Sequence, residues 1–218
     1  MDITTVVPAY NEGPRIADVL NVLTHIDYLN HIYVVDDGSQ DDTLRQAEKF
    51  DVGIVRHTKN LGKGAAIQSV LNITDSDYYL FIDADLIGLN SGHIDALIKP
   101  LAKCEDIVMS IGTFKAGNKT SVNLAQEYFS ILNGQRCLRG SFAKQLPDLT
   151  WTRFGVEVFM TKYAAVKQDR IFYPALYNLT HYKKEEKLGF RRGFLYRMQM
   201  YKEVIYTYMT YKKHIDVP

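Results

Sequence analysis

Two carboxylates set two residues apart, Asp83 and Asp85, close the apolar run Tyr78-Tyr79-Leu80-Phe81-Ile82. Aromatic and β-branched residues favour a strand. An apolar run without polar alternation predicts a strand buried on both faces. Side chains along a strand repeat every two residues, so both carboxylates are expected on one side of its end. Like charges placed there repel. A hard divalent cation relieves the repulsion and leaves coordination positions for phosphate oxygens. Three more polar groups stand in loops after apolar segments: Tyr10-Asn11-Glu12, Asp36-Asp37 and Leu61-Gly62-Lys63-Gly64.

The elements that must position these groups alternate in type. Residues 3–7 read as a first strand that Pro8 stops, because proline offers no ladder donor. Ile16, Val19, Leu20 and Leu23 recur at helical spacing. Strands are predicted over 31–35 and 52–56, helices over 40–50 and 65–73, with Ser39 or Asp41 as the cap of the former. Strands alternating with helices imply right-handed βαβ units and a parallel sheet. Ligands in such sheets bind beyond the carboxyl ends of the strands, where all four polar loops are expected to meet. Further on, a helix is predicted over 91–102, a strand over 105–111, a loop over 112–120 and a helix over 122–132. Residues 134–139 form a polar cluster, 154–159 open a helix, 170–182 are extended, and 187–213 are helical, basic and aromatic.

Bulk composition narrows the class. A chain of 218 residues with 46% hydrophobic and 23% charged content suits one soluble globular domain. A net charge of +1 argues against bulk nucleic-acid binding. Cys104 and Cys137 lack metal-type spacing, so a reduced, cytoplasmic setting is expected. No basic leader precedes the first strand, and no run of about 18 apolar residues predicts a membrane span.

In order along the chain stand Val6-Val7-Pro8-Ala9-Tyr10-Asn11-Glu12, Val34-Val35-Asp36-Asp37-Gly38-Ser39 with Asp41 and Thr43, Asn60-Leu61-Gly62-Lys63-Gly64, and Asp83-Ala84-Asp85. Together they closely resemble the family 2 glycosyltransferases, over roughly residues 3–110. The resemblance implies the GT-A fold, a Rossmann-like α/β arrangement with a mixed, mainly parallel sheet flanked by helices. It implies a nucleotide-sugar donor held by Pro8, Tyr10, Glu12 and Asp37, with Asp36 as rival to Asp37 for a uracil-type base. Glycines beside Lys63 would let the backbone approach the ligand, and the lysine would meet base, ribose or diphosphate. This is no Walker loop, because Gly64 replaces the required Ser or Thr. Asp85 would bind Mn²⁺ or Mg²⁺, with Asp83 on ribose or metal-bound water.

The second half resembles bacterial polyprenyl-phosphate sugar transferases and glucosyl-3-phosphoglycerate synthase-like enzymes through Gly134-Gln135-Arg136 and Phe154-Gly155-Val156-Glu157. That likeness implies a donor half over 1–110, an acceptor half over 111–182 and a helical tail over 183–218. Thr180-His181-Tyr182 is similar to a segment whose histidine completes the metal site. Glu157 is the candidate general base of an inverting reaction, or else it pairs with Arg136 or Arg153. Arg136 and Arg139 are candidates for a phosphate of donor or acceptor. The expected activity is sugar transfer to a hydroxyl or phosphate acceptor, lipid-linked or phosphorylated, in cell-envelope glycan synthesis. Rivals are a sugar-phosphate nucleotidyltransferase and a non-catalytic nucleotide-sugar-binding protein. The basic, aromatic tail suits packing on the core, a second subunit, or peripheral contact at the inner face of a membrane.

Overall fold

The structure, a computed structural model, describes residues 1–115, 130–181 and 190–215. Its elements in chain order are β1 (Ile3–Ala9), α1 (Gly13–Leu23), β2 (His31–Asp36), α2 (Thr43–Ala47), β3 (Gly53–Arg56), α3 (Lys63–Leu71), β4 (Tyr78–Phe81), β5 (Leu86–Ile87) and α4 (Ser91–Lys103). There follow β6 (Ile107–Ile111), β7 (Thr113–Lys115), β8 (Arg136–Arg139), α5 (Gly140–Ala143), α6 (Val156–Val166), β9 (Arg170–Phe172), β10 (Ala175–Tyr177), β11 (Thr180–His181) and α7 (Phe190–Thr210). Ser130–Leu132, Thr150–Gly155 and Tyr211–His214 are 3₁₀ segments.

Seven strands form one sheet in the order β3-β2-β1-β4-β8-β6-β9. The pairings are parallel except around β8, which runs antiparallel to β4 and to β6. This is the mixed, mainly parallel α/β sheet expected from the sequence. β4 is buried on both faces. Tyr78, Leu80 and Ile82 join the core that includes Ile16 and Leu20 of α1 and Leu97 of α4. Tyr79 and Phe81 join the opposite core with Ile67 of α3, Phe142 of α5 and Phe159 of α6. Each such fully buried side chain contributes about 1.5–3 kcal/mol, so both layers are needed to hold β4.

Several boundaries differ from the sequence-based expectation. β1 continues through Pro8, which pairs in register with Val35. The backbone alternates: Val6 O accepts from Ile82 N on the β4 side, while Ala9 O accepts from Asp37 N on the β2 side. Pro8 therefore turns its nitrogen toward the β4 side beyond the last paired residue, where no ladder donor is required. α2 is about half its predicted length, because Ser39 and Asp41 bond the loop after β1 instead of extending the helix. β7 occupies part of the predicted 112–120 loop and pairs with β10. β8 replaces a predicted polar cluster. Its arginines interrupt the apolar pattern, yet Cys137 and Leu138 are fully buried between them. The helix predicted over 122–132 lies outside the described residues except for 130–132, as does Tyr182.

The C-terminal helix packs on its own chain. Thr207 is fully buried against Gly155, and Trp151 stacks on His214 with ring centroids 3.7 Å apart. Its other side leaves Leu195, Ile205 and Met209 exposed. Among the described residues no helix is long and apolar enough to cross a membrane.

Candidate active site

The loops that leave the carboxyl ends of β1 and β2 are stitched to one another. Asn11 takes a left-handed conformation at φ 55°, which asparagine tolerates better than most residues. Its N–H donates to Ser39 Oγ at 2.9 Å, and its Oδ1 accepts from Gln40 N at 2.8 Å. Glu12 N donates to Thr43 Oγ1 at 2.8 Å, and Gly13 N to Asp41 Oδ2 at 3.0 Å. Ser39, Asp41 and Thr43 therefore serve the fold of the Tyr10-Asn11-Glu12 loop. Glu12 is itself buried and accepts from Arg15 Nε at 2.7 Å.

Asp37 anchors the next loop. Its carboxylate accepts from His57 Nδ1 at 2.7 Å and from the N–H groups of Leu61 and Gly62 at 2.8 Å each. A carboxylate offers about four acceptor positions, so Asp37 keeps capacity for one more donor. Asp36 points elsewhere, accepting from Ser39 N at 2.9 Å beside Arg56. Of this pair, Asp37 borders the crevice and Asp36 borders a separate cavity with Asp41 and Arg56.

The glycines flanking Lys63 face the protein. A Cβ on Gly62, which has φ 96°, would stand 2.9 Å from Arg153 Cα. One on Gly64 would stand 2.2 Å from Thr152 Oγ1. Close packing on the Thr150–Gly155 segment requires both, and Gly62 also borders the crevice. That packing starts α3 where Lys63 points inward, with only 13% of its side chain exposed. Its ammonium bonds Asp83 and lies 2.6 Å from Glu157 Oε1. Burial alone would lower the Lys63 pKa, but Asp83 and Glu157 outweigh it and hold the pKa well above the usual 10.5. Burial likewise pushes Asp83 up, and Lys63 together with Gln135 brings it well below 3.8.

Asp83 and Asp85 are in a turn after β4 ends at Phe81, so the two-residue strand period does not place them. Contacts do. Gln135 Oε1 accepts from Asp83 N at 3.0 Å, and Gln135 Nε2 donates to Asp83 Oδ2 at 2.9 Å. β11 pairs antiparallel with β5 and puts His181 opposite Leu86, next in sequence to Asp85. Pro8, Tyr10, Glu12, Asp37, Lys63, Asp83, Asp85, Glu157 and His181 thus border one crevice of about 460 Å³, within the range of ligand pockets.

Two expected site residues are elsewhere. Arg136 is fully buried behind the crevice. It donates to the carbonyls of Ile131, Asn133 and Glu157 at 2.5, 2.7 and 2.9 Å and to Thr161 Oγ1 at 2.8 Å. Burial lowers its pKa to about 10 against the opposing charge of Glu157. Its position in β8 turns it into a brace for Glu157, not a phosphate ligand. Arg139 lies three residues further along the antiparallel β8, toward the far edge of the sheet. It donates to Leu101 O at 2.7 Å and Cys104 O at 3.0 Å, at the carboxyl end of α4. Glu157 pairs with Lys63 rather than with either arginine named from sequence.

Gln135, Gly134 and His57 escaped the sequence reading as individual site residues. Gly134 carries a definite requirement: a Cβ there would lie 2.4 Å from both Lys63 Nζ and Asp83 Oδ2. The Gly134-Gln135-Arg136 resemblance was the one signal available for it.

Among the described residues no three His, Cys, Asp or Glu side chains converge closely enough to hold a metal ion alone. Asp83 does not fit as a direct ligand, since Lys63 and Gln135 occupy its oxygens. Asp85 and His181 fit better, as one oxygen and one nitrogen donor at the same crevice.

Known proteins resemble this chain in sequence and in shape. The sequence profile described as Glycosyl transferase family 2 matches residues 4–164. Protein RfbJ of Shigella flexneri is 36% identical over 85 residues, covering 38% of this chain and 64% of that protein. Glucosyl-3-phosphoglycerate synthase of Mycolicibacterium smegmatis is 26% identical over 128 residues, covering 55% of this chain and 42% of that one. Dolichol-phosphate mannosyltransferase of Pyrococcus furiosus is 31% identical over 94 residues, covering 39% and 26%. These matches span less than two thirds of each relative. The crystal structure of glucosyl-3-phosphoglycerate synthase from Mycobacterium tuberculosis with Mn²⁺, uridine diphosphate and glucosyl-3-phosphoglycerate superposes with a TM-score of 0.77 at 23% identity, covering 99% of this chain and 81% of that one. At that identity the superposition establishes the fold, and the profile spans most of the sequence and the loops that build the crevice: this chain belongs to glycosyl transferase family 2.

Proposed function

We propose that the chain is a metal-dependent glycosyltransferase that moves a sugar from a nucleoside diphosphate donor, a UDP-sugar, to a hydroxyl or phosphate acceptor. The observation that carries this reading is the gathering of nine predicted residues around one crevice at the carboxyl edge of the sheet. Family membership and the Mn²⁺, Mg²⁺ and uridine diphosphate in crystals of the Mycobacterium tuberculosis relative support it. Residues 1–110 form the donor side and residues 111–182 the acceptor side.

Pro8, Tyr10 and Glu12 flank the nucleoside, and the spare acceptor position of Asp37 takes the imino hydrogen of uracil. Asp85 and His181 hold the divalent cation. The cation supplies Lewis-acid neutralisation of the diphosphate leaving group when bound. Lys63 and Asp83 lie under the sugar and its phosphate, positioned by Gln135. In an inverting transfer Glu157, fixed by Lys63 and braced through its own carbonyl by Arg136, is the base that receives the acceptor proton.

Acceptors named for the relatives are a phosphoglycerate and a dolichol phosphate. Both carry a phosphate, which fits the proposed acceptor class.

The test is a donor screen with Mn²⁺ that reads hydrolysis and nucleoside diphosphate binding by calorimetry, with Asp85→Asn as control. Wild type binds uridine diphosphate in a Mn²⁺-dependent manner, and Asp85→Asn does not. No binding of any nucleoside diphosphate by wild type, or equal hydrolysis by Asp85→Asn, overturns the proposal. Release of pyrophosphate from a nucleoside triphosphate and a sugar phosphate would instead assign a nucleotidyltransferase.

A further inference from the structure

Where the two halves of the crevice meet, a bulky residue holds a conformation that suits glycine. Arg153 has φ 48° and ψ −112°, which the Cβ of an arginine disfavours. Its side chain makes three contacts across two elements. Nε donates to Glu203 Oε1 at 3.0 Å, one Nη to Leu61 O at 3.2 Å and the other Nη to Asn60 Oδ1 at 3.1 Å. Glu203 belongs to α7, and its second oxygen accepts from Phe154 N at 3.4 Å. Met200, Tyr201 and Val204, next to Glu203 on α7, form a wall of the crevice. Asn60 and Leu61 belong to the loop that Asp37 anchors and that leads into Lys63.

A single salt bridge with Arg153 36% exposed and Glu203 16% exposed would hold little on its own. The planar guanidinium changes that, because one rigid group fixes three acceptors at once. A strained backbone persists only where surrounding contacts over-determine it, and strain of this kind clusters at ligand clamps.

We propose that Arg153 is a positioning residue that clamps the α7 wall to the donor-side loop, so that ordering one orders the other. The donor enters this statement through the function proposed above; the clamp between loop and helix stands without it. Coupling of this kind is reciprocal: a nucleotide that orders residues 57–64 also steadies α7.

Hydrogen–deuterium exchange on the full chain tests it, with wild type, Arg153→Gly, Arg153→Lys and Glu203→Gln compared with and without uridine diphosphate plus Mn²⁺. Arg153→Gly suits the backbone conformation, so the variant folds and loses only the side chain. It is expected to exchange at least about fivefold faster over both 57–64 and 197–215. Nucleotide-dependent protection of 197–215, present in wild type, disappears. In the hydrolysis assay the donor KM rises about tenfold while kcat changes less than about threefold. Arg153→Lys recovers part of each effect, and Glu203→Gln loosens 197–215 first. Exchange in both segments within about twofold of wild type in Arg153→Gly overturns the clamp. So does loosening of 197–215 with the loop and KM unchanged. If wild type binds no nucleotide, the functional proposal fails, and exchange of the free protein still decides the clamp.

Discussion

Lys63 Nζ stands 2.6 Å from Glu157 Oε1 and also bonds Asp83, so one buried ammonium joins the donor-side loop, the turn after β4 and the first turn of α6. Two carboxylates around one cation leave the cluster with a net negative charge beneath the crevice. Removing the cation would leave both acids facing each other without a counter-charge. Lys63→Met is therefore expected to destabilise the fold by about 3 kcal/mol or more, read from the urea midpoint. A loss below about 0.5 kcal/mol would show that the ion cluster contributes nothing.

The same cluster sets an acid limit. Asp83 has its folded pKa depressed below 3.8, burial being outweighed by Lys63. Between its two values the unfolded chain binds more protons, so stability there rises with pH. The contribution is complete above the unfolded value of 3.8 and drains away as pH falls through the lower folded value. Urea midpoints taken from pH 6 to pH 2, values chosen to bracket about 3.9, should fall less steeply for Asp83→Asn than for wild type. Parallel profiles would contradict the pairing.

Gly134 leaves no room for a methyl group, with Lys63 Nζ and Asp83 Oδ2 both 2.4 Å from the would-be Cβ. Gly134→Ala should part the lysine from the aspartate at a stability cost of about 1–3 kcal/mol. Calorimetry with uridine diphosphate and Mn²⁺ should show a Kd raised by about tenfold, the equivalent of one lost charged contact. Unchanged affinity would mean that the Lys63–Asp83 contact is irrelevant to the donor.

Glu157→Gln retains size and hydrogen bonding but cannot take a proton. Transfer to acceptor should fall by about 10²–10⁴-fold while donor affinity stays within a few-fold. Steady-state kinetics beside donor calorimetry separate the two. A variant that transfers at wild-type rate would leave Glu157 as a partner of Lys63 and nothing more.

Arg136 is a brace, and its removal should behave like the loss of one. Arg136→Met strands the carbonyls of Ile131 and Asn133, each buried acceptor costing about 1–3 kcal/mol, while Glu157 O keeps its bond from Thr161 Oγ1. Denaturation should show the loss, with donor Kd in the folded fraction within about threefold of wild type. A large fall in affinity at unchanged stability would return Arg136 to the donor phosphates.

The alternation of strands and helices, and with it the edge at which four polar loops gather, is legible in the order of residues alone. These signals are short-ranged: apolar runs, helical spacing and turn residues act within a few positions of one another. They sufficed to put Tyr10, Glu12, Asp37, Lys63 and Asp85 around one crevice. Which residues meet across long separations depends on the folded topology. Lys63 and Glu157 stand 94 positions apart, from the two numbers, and no local pattern pairs them. β8 enters antiparallel between β4 and β6, so Arg136 turns into the core and Arg139 toward the far edge. The packing of the Thr150–Gly155 segment on Gly62 and Gly64 has no local signal either. Arg153, named from the sequence as a partner for Glu157, pairs instead with Glu203, which α7 brings beside it. Packing and charge pairing depend on which surfaces the topology presses together, and a charged side chain takes its role from the partners it finds there.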